Sequence, residues 1–394
     1  MSAVRPAPDL ASGAAQRDLF EWHTPGTGVV VQRHDYGLAA AGDSRAIHVP
    51  AGPNHVHRAA SLARDALDET PGLGVVMGAL PFDGTCEAIL RLPERVIRVV
   101  PSHGGVAPQP GWTVTDLVPD PLPTEYEAAV ERALLAIDAG EVEKVVLART
   151  LQVKADALID PRLLARRFNA GERGSFVFLV ALPGGASTLV GASPELVVRR
   201  RGRKVFSDPL AGTARRSQDR TRDREIARQL LEAVKEQREH RLVAEAVADA
   251  LTPFCSNLVV DSEAGLTSTA TLWHLHTAIK GTLKADAPDA LSIAAALHPT
   301  PAVCGTPQAA AAALITRLEP FDRRFFAGLV GWVDTLGDGE WALTLRCAEV
   351  SGSTARLHAG AGIVAGSEPA LEDLETEAKF GVGLRALGVE PAQI

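Results

Sequence analysis

The sequence has few of the residues that mark small disulfide-stapled or zinc-bound domains. Four cysteines occur in 394 residues, and no two of them form a CxxC pair, which excludes a disulfide scaffold and a cluster of zinc-binding thiolates. We therefore expect free thiols in a reducing, cytoplasmic location. No stretch approaches the roughly 18 uncharged apolar residues of a membrane helix, and the first 20 residues lack the apolar core of a signal peptide.

Positive charge is also in short supply. Lys and Arg total 40 against 48 Asp and Glu, which gives a formal net charge of −8. This balance argues against a nucleic-acid-binding face but allows a small anionic substrate, because local charge decides binding. With 46% apolar and 22% charged residues, the chain is predicted to be globular rather than disordered or collagen-like. We expect neither a nucleic acid nor a membrane as partner.

Hydrophobic patterning predicts hairpin-like pairs of short strands with helices between groups of them. Residues 1–16, rich in Pro, Ala, Ser and Gly, are predicted to be a disordered tail. Residues 17–120 form the N-terminal part of the fold, and residues 121–394 form a region integrated with it in one domain. The Pro-rich stretch 106–127 is predicted to cross the surface, and a helical region is predicted over 219–251. The pattern favours an α+β architecture of antiparallel sheets with helices outside.

Two predicted helices carry pairs of acids three residues apart. Glu236 and Glu239 form one pair, and Glu372 and Glu375 form the other. Because residues i and i+3 lie about 60° apart on a helix, each helix can offer two carboxylates to one point. Two such faces would make an oxygen-only pocket suited to Mg²⁺, and no His or Cys cluster favours a softer metal. The alternative is that these acids lie on solvated helix faces.

A lysine and a glutamate adjoin apolar strands. Lys144 opens KVVLAR and shares a strand face with Val146 and Ala148. Desolvation would disfavour its ammonium form and make a general base possible; the alternative is an edge lysine with its head in water. Glu195 lies between a Pro turn and an apolar strand, where burial would raise its pKa and allow it to act as an acid. The alternative is a strand-end carboxylate.

An arginine and a glycine-rich segment complete the candidate residues. Arg346 ends the apolar strand ALTLR, where an inward guanidinium would match a carboxylate or phosphate; the alternative is a structural ion pair. Gly360 and Gly362 could let an anion approach bare backbone N–H groups. The segment is neither a P-loop nor a GxGxxG turn.

Ten segments of the chain together resemble the chorismate-utilising enzymes, in particular the isochorismate synthases of siderophore pathways. In chain order, these segments are KVVLAR, GASPELVVRR, PLAGTARR, KEQREHRLV, LWHL, HPTPAVCGTP, LEPFDRRFFAGLVGW, GEWALTLRCAEV, HAGAGIV and LETEAKF. The resemblance is strong over 130–388 and weaker at GALPFD. It implies one large α+β fold of two layered antiparallel sheets wrapped by helices.

The resemblance also implies a magnesium-dependent isomerisation of chorismate to isochorismate. Lys144 matches the base that activates water at C2, and Glu195 matches the acid that protonates the departing C4 hydroxyl. Four further matches concern Mg²⁺, with Glu239 and Glu375 as direct ligands and Glu236 and Glu372 holding its waters. The remaining matches concern the substrate: Arg346 and the Gly360 amide at the enolpyruvyl carboxylate, Lys379 near the ring carboxylate, and Gly212, Thr213 and His274 near the C4 oxygen and the ring.

Three residues bear on which branch of the family is present. Ammonia-using relatives usually lack the lysine found at 144, so the resemblance implies water as nucleophile and no glutamine amidotransferase subunit. Salicylate synthases, which go on to eliminate pyruvate, tend to have Thr and Tyr where this chain has Ala302 and Phe326. Both positions favour isochorismate synthase, with salicylate synthase as the alternative and a catalytically silent chorismate- or partner-binding protein as a third reading. We expect a monomer whose product feeds siderophore or menaquinone synthesis.

Overall fold

The computed structural model describes residues 18–100, 107–172 and 174–389. The predicted tail at 1–16 lies outside these ranges. The helices of the described residues are α1 (His55–Asp68), α2 (Pro123–Asp138), α3 (Pro161–Gly171), α4 (Arg220–Glu232), α5 (Val234–Leu251), α6 (Ala290–Leu297), α7 (Gln308–Leu318) and α8 (Pro369–Leu387). Short 3₁₀ turns occur at Leu19–Trp22 and Thr252–Phe254.

Twenty strands alternate with these helices. They are β1 (Val29–Gln32), β2 (Gly37–Val49), β3 (Val75–Leu80), β4 (Ala88–Val99), β5 (Val114–Asp120), β6 (Lys144–Ala155), β7 (Phe176–Ala181), β8 (Thr188–Ser193), β9 (Leu196–Arg201), β10 (Lys204–Asp208), β11 (Leu210–Arg215), β12 (Cys255–Val260), β13 (Gly265–Ser268), β14 (Leu272–His276), β15 (Ile279–Leu283), β16 (Gly305–Thr306), β17 (Leu329–Asp334), β18 (Gly339–Leu343), β19 (Cys347–Ser351) and β20 (Thr354–Val364).

The described strands pair only in the antiparallel sense, which confirms the α+β class. Seventeen of them form one network in the order β5-β6-β20-β19-β8-β7-β1-β2-β4-β3-β17-β18-β9-β10-β15-β12, with β16 pairing to the start of β6. The other three, β11, β14 and β13, form a small sheet with β14 in the middle.

The long strands β2 and β4 join two parts of the large network. Ala39 of β2 pairs with Val30 of β1, while Leu90 of β4 pairs with Gly78 of β3. The antiparallel β2–β4 pair therefore connects the part from β5 to β1 with the part from β3 to β12. Buried side chains from both parts share one apolar core, among them Leu147, Phe178, Val198, Leu329 and Trp341.

Strand β7 is buried on both faces. Phe176, Phe178 and Val180 join the core between the two parts, whereas Val177 and Leu179 pack in a second core with residues of α3 and α8. Because successive side chains point to opposite faces of a sheet, a strand covered on both sides needs an unbroken apolar run, and GSFVFLVAL supplies one.

Three elements differ from the sequence prediction. Strand β5 lies inside the stretch predicted to cross the surface. Its residues are exposed or half-buried there, but they form a strand that was not predicted. Because β5 pairs with β6 alone among the described strands, it is an edge strand and tolerates Pro119. Helix α6 was not predicted, because six of its eight residues are buried and it has no polar face. The region 219–251 is two helices separated by the extended residue Ala233.

The fold brings β6, β20, β11, α5 and α8 together. Strand β6 pairs with β20 along its whole length, so that Val146 lies opposite Gly362 and Ala148 opposite Gly360. Helices α5 and α8 both pack against β20 and β11. None of the helices in the described ranges combines the length and apolar character needed to pass through a bilayer.

Candidate active site

One cavity collects most of the residues that the sequence singled out. Of the fourteen candidates, those in its wall are Glu195, Gly212, Thr213, Glu239, His274, Ala302, Phe326, Arg346, Gly360, Glu375 and Lys379. Lys144, Glu236 and Glu372 are outside the wall, and their contacts are with neighbouring charged groups. The chain thus brings together segments separated by up to about 185 residues in sequence.

A bulge in the small sheet shapes one side of the cavity. Gly212 has a φ of +73°, and β11 shifts register against β14 between Ala211 and Thr213. A Cβ at 212 would lie 3.1 Å from the Cβ of Glu236, so glycine allows β11 to approach α5 closely. Thr213 Oγ1 lies 3.1 Å from Nδ1 of His274. Burial holds the pKa of His274 well below its ordinary value, so the ring is neutral.

Glu195 is a buried carboxyl in the connection between β8 and β9, after Pro194 and directly before the apolar strand β9, as its sequence pattern predicted. Burial raises its pKa to about 8, although a backbone hydrogen bond with Leu210 and the charges of Lys144 and Arg346 act in the opposite direction. At neutral pH the group is therefore protonated and able to donate a proton to a bound molecule.

Lys144 and Glu239 form a buried ion pair. Lys144 is 0% exposed, and its Nζ lies 3.0 Å from Oε1 of Glu239, so the alternative of a lysine with its head in water is wrong. Burial alone would raise the pKa of Glu239, but the charge and hydrogen bond of Lys144, together with the charges of Lys379 and Lys235, lower the pKa below its ordinary value. A Cβ at Gly362 would lie 2.0 Å from the same Oε1 and 3.1 Å from Cε of Lys144. Glycine at 362 makes room for the pair.

The two acid pairs lie on α5 and α8, as the spacing predicted. Lys235 Nζ lies 2.6 Å from Oε1 of Glu372 and 3.8 Å from Oε1 of Glu236. Lys379 Nζ lies 2.5 Å from Oε1 of Glu375. Burial raises the pKa of Glu372, and the nearby Glu375 carboxylate raises it further. The acids are therefore engaged in charge contacts and do not simply lie on solvated faces.

These four acids fit a magnesium site in donor chemistry but are not arranged as a finished cage. They offer only oxygen, and Mg²⁺ in proteins is commonly held by one or two carboxylates and several waters. Yet no three His, Cys, Asp or Glu side chains of the described residues surround one point closely enough to hold a metal ion. Instead, Glu239, Glu372 and Glu375 each contact a lysine. A metal at this site would have to draw carboxylates away from those lysines.

Arg346 offers an unused donor to the cavity. It lies between β18 and β19, so its predicted place at the end of a strand is wrong. Its φ of +49° is a left-handed conformation that costs about 1 kcal/mol or more for a residue with a Cβ. Its buried Nε has no hydrogen-bond partner within the described ranges, which is unfavourable unless an acceptor binds there. Nearby, the carbonyl oxygen of Gly360 accepts a hydrogen bond from Lys379 at 2.7 Å.

Ala302 and Phe326 give the cavity an apolar section. Phe326 is buried and stacks on His358, with ring centroids 4.9 Å apart and planes at 9°. Burial lowers the pKa of His358 to about 3, so this supporting ring is uncharged. Neither Ala302 nor Phe326 carries a side-chain hydrogen-bonding group.

The sequence model of the family described as "Chorismate binding enzyme" matches residues 107–388. The chain belongs to the chorismate-binding enzymes. This confirms the resemblance drawn from the ten segments, all of which fall inside the matched region.

Individual chorismate-binding proteins are similar over nearly the whole chain. The isochorismate synthase DhbC of Bacillus subtilis is 41% identical over 384 residues, which cover 94% of this chain and 96% of DhbC. The isochorismate synthase EntC of Escherichia coli K12 is 40% identical over 337 residues, covering 84% and 85%. The crystal structure of a putative 2,3-dihydroxybenzoate-specific isochorismate synthase, DhbC from Bacillus anthracis, matches with a TM-score of 0.87 and 38% identity, covering 94% and 99%.

Arg323, which lines the cavity, forms a buried ion pair with Glu319 that sequence reasoning missed. Arg323 donates to the carbonyl oxygens of Val303 at 2.6 Å and Val146 at 2.7 Å, and contacts Glu319 at 2.5 Å. Glu319 in turn accepts from the backbone N–H of Ala148 at 2.8 Å. The pair ties β6 to the loop that carries Ala302. The four-residue spacing of Glu319 and Arg323 would indicate an ion pair only on a helix. Because α7 ends at Leu318, the pair is not on a helix and the sequence did not predict it.

Proposed function

We propose that this enzyme converts chorismate to isochorismate in a magnesium-dependent reaction. The observation that carries the proposal is the protonated, buried Glu195 in the same cavity as Arg346, Glu239 and Glu375. The cavity offers an acid, a free donor for an anion, and oxygen ligands for a cation. The names of the similar enzymes DhbC and EntC support the same reaction.

Substrate binding follows from the charge on chorismate, which is a dianion. Arg346 binds the enolpyruvyl carboxylate through the nitrogen that has no partner within the described ranges. The ring carboxylate lies on the side of Glu239, Glu375 and Lys379. Glu239 and Glu375 would hold Mg²⁺ directly and Glu236 and Glu372 through water, and a bound Mg²⁺ would supply the positive charge that holds this carboxylate.

The chemistry needs a base and an acid at different positions on the ring. Water adds at C2 while a hydroxyl leaves from C4 and the ring double bonds shift. One C–O bond forms and one breaks, one water enters and one leaves, so no oxidant or reductant is consumed. Lys144 is the proposed base that takes a proton from the attacking water, and Glu195 gives its proton to the departing oxygen. Such proton transfers typically contribute about 10²- to 10⁴-fold in rate.

Ala302 and Phe326 support release of isochorismate over further breakdown. Neither side chain can hydrogen-bond the enolpyruvyl ether oxygen, so isochorismate leaves before its side chain reaches the geometry for pyruvate elimination. We expect a monomeric, cytoplasmic enzyme without an amidotransferase subunit, and its four unpaired cysteines agree with a reducing compartment. The product would feed siderophore or menaquinone synthesis.

One assay separates the three readings. Purified protein is incubated with chorismate and Mg²⁺, and the products are resolved by chromatography. Isochorismate as the main product supports the proposal. Salicylate with an equal amount of pyruvate would select the salicylate synthase alternative. Binding of chorismate without any product would select the silent protein.

A further inference from the structure

Lys235 bridges the two helices that carry the acid pairs. It lies on α5 next to Glu236, and its Nζ reaches across to Oε1 of Glu372 on α8 at 2.6 Å. The lysine side chain is 27% exposed, whereas the Glu372 side chain is 1% exposed.

Both outer acids of the proposed magnesium site, Glu236 and Glu372, have this lysine as a charge partner. Within the described ranges, Lys235 is the only basic side chain found at ion-pair distance from Glu372, and also the only one from Glu236. Glu239 and Glu375 have their own lysines, Lys144 and Lys379. Four carboxylates therefore meet three ammonium groups, which leaves one net negative charge.

A lysine in this position acts against a metal cation in two ways. It occupies an oxygen of Glu372 that would otherwise accept from metal-bound water, and its positive charge repels a second cation nearby. Since Glu372 is buried, it also needs a cationic or hydrogen-bonding partner whenever the metal is not there. These two requirements point to alternation between lysine and metal.

We propose that Lys235 competes with Mg²⁺ for Glu372 and Glu236, so that metal loading exchanges the α5–α8 ion pair for metal-bound water. The inference rests on the magnesium site of the proposed function and adds to it a built-in limit on metal affinity. Lys235 is then a positioning and competing residue, and it does not touch the reacting atoms of the substrate.

The test is calorimetric titration of Mg²⁺ into the full-length protein after EDTA treatment and dialysis. Lys235→Gln removes the competing charge, and we expect it to bind Mg²⁺ roughly three- to tenfold more tightly than the unaltered protein, the scale of a partly exposed charge pair. Lys235→Arg keeps the charge and is expected to stay near the original affinity. Lys280→Gln, an exposed lysine on β15, is the matched control and is expected to change nothing.

Thermal unfolding supplies a second readout that does not depend on activity. In EDTA, Lys235→Gln leaves the buried Glu372 without its ion-pair partner. The thermal unfolding midpoint of this variant is therefore expected to fall below that of the unaltered protein, and saturating Mg²⁺ is expected to reduce the difference. Unchanged or weaker Mg²⁺ binding by Lys235→Gln would overturn the proposal that Lys235 competes with Mg²⁺. Lys235 would then have only a structural role between α5 and α8. No Mg²⁺ binding by any of the proteins would instead overturn the magnesium site itself.

Discussion

The Nζ of Lys144 lies 3.0 Å from Oε1 of Glu239, which links the proposed base to a proposed magnesium ligand. Lys144 begins β6 and Glu239 lies on α5, so the contact depends on how sheet and helix pack. A change in the charge of either residue therefore alters the environment of the other. Variants of Lys144 and of Glu239 test the two residues in turn.

Removing the metal is expected to abolish turnover, and adding Mg²⁺ is expected to restore it. Glu239→Gln keeps the size of the side chain but removes its charge, so we expect a folded protein with almost no activity. Circular dichroism checks the fold, and product chromatography checks turnover. Full activity in EDTA-treated, metal-free buffer would contradict the magnesium requirement.

Lys144→Ala is expected to lower kcat by about 10²-fold or more, the usual scale for loss of a general base. Chorismate affinity should stay within a few-fold, because the carboxylate contacts are made elsewhere in the cavity. Steady-state kinetics measure both quantities. Lys154→Ala, on the exposed end of the same strand, is the control and should behave like the unaltered protein. A change in KM alone would make Lys144 a binding residue.

The raised pKa of Glu195 predicts the alkaline limb of the activity profile. Glu195 must be protonated to act as the acid, so kcat is expected to fall as the pH rises through about 8. Glu195→Gln is expected to lose most of the activity and this limb with it. A pH profile of kcat measures both effects, and an alkaline limb retained by the variant would point to another group.

The same carboxyl predicts a pH-dependent stability. Burial raises the folded pKa from 4.5 to about 8, so between these values the folded state binds more protons than the unfolded state. Rising pH then lowers the free energy of unfolding across this window. Glu195→Gln removes this contribution. The thermal unfolding midpoint of the variant, measured relative to that of the unaltered protein, is therefore expected to increase between pH 5 and pH 8. A constant difference in thermal scans would argue against the raised pKa.

Ala302 and Phe326 are expected to determine how much pyruvate escapes. Ala302→Thr with Phe326→Tyr adds two hydroxyls, and a new polar contact contributes on the order of 1 kcal/mol, enough to shift a partition several-fold. The unaltered enzyme should release mainly isochorismate, and the double variant should release more pyruvate per isochorismate. Coupling to lactate dehydrogenase measures the pyruvate. If the unaltered enzyme formed one pyruvate for each chorismate consumed, the salicylate synthase alternative would be favoured.

Gly362→Ala tests the space around the central ion pair. The added Cβ would lie 2.0 Å from Oε1 of Glu239, so the carboxylate must move. Gly360→Ala is the matched control, since its nearest contact, with the oxygen of Leu147, would be 3.1 Å. We expect Gly362→Ala to lose at least about tenfold more kcat/KM than Gly360→Ala. Equal losses would mean that the space at 362 is not specific to the ion pair.

Local patterns were enough to predict the helix or strand on which many of these residues lie. The i, i+3 acids on α5 and α8 follow from helical spacing, and the burial of Lys144 follows from an apolar strand. The assignment of chemistry to the residues came from the resemblance, because spacing alone leaves solvated acids and structural ion pairs equally open.

Contacts between distant segments were beyond the reach of the sequence. Arg323 binds the backbone of Val146, which is 177 residues away, and Lys235 binds Glu372, which is 137 residues away. Arg346 was placed on a strand because its apolar neighbours favour one, but its left-handed backbone ends the strand earlier. Tertiary packing decides such positions, and no local pattern encodes it.

The long antiparallel β2–β4 pair has a consequence for any attempt to shorten the protein. Strand β7 takes a hydrogen-bonded neighbour from β1, and β17 takes one from β3, although β1 and β3 both precede the matched family region at 107–388. A fragment cut at residue 107 would therefore expose the apolar edges of β7 and β17, each a template for pairing with another molecule. All the proposed catalytic residues would be retained, but the fragment would be prone to self-association, so the minimal functional unit is larger than the set of residues that perform the chemistry.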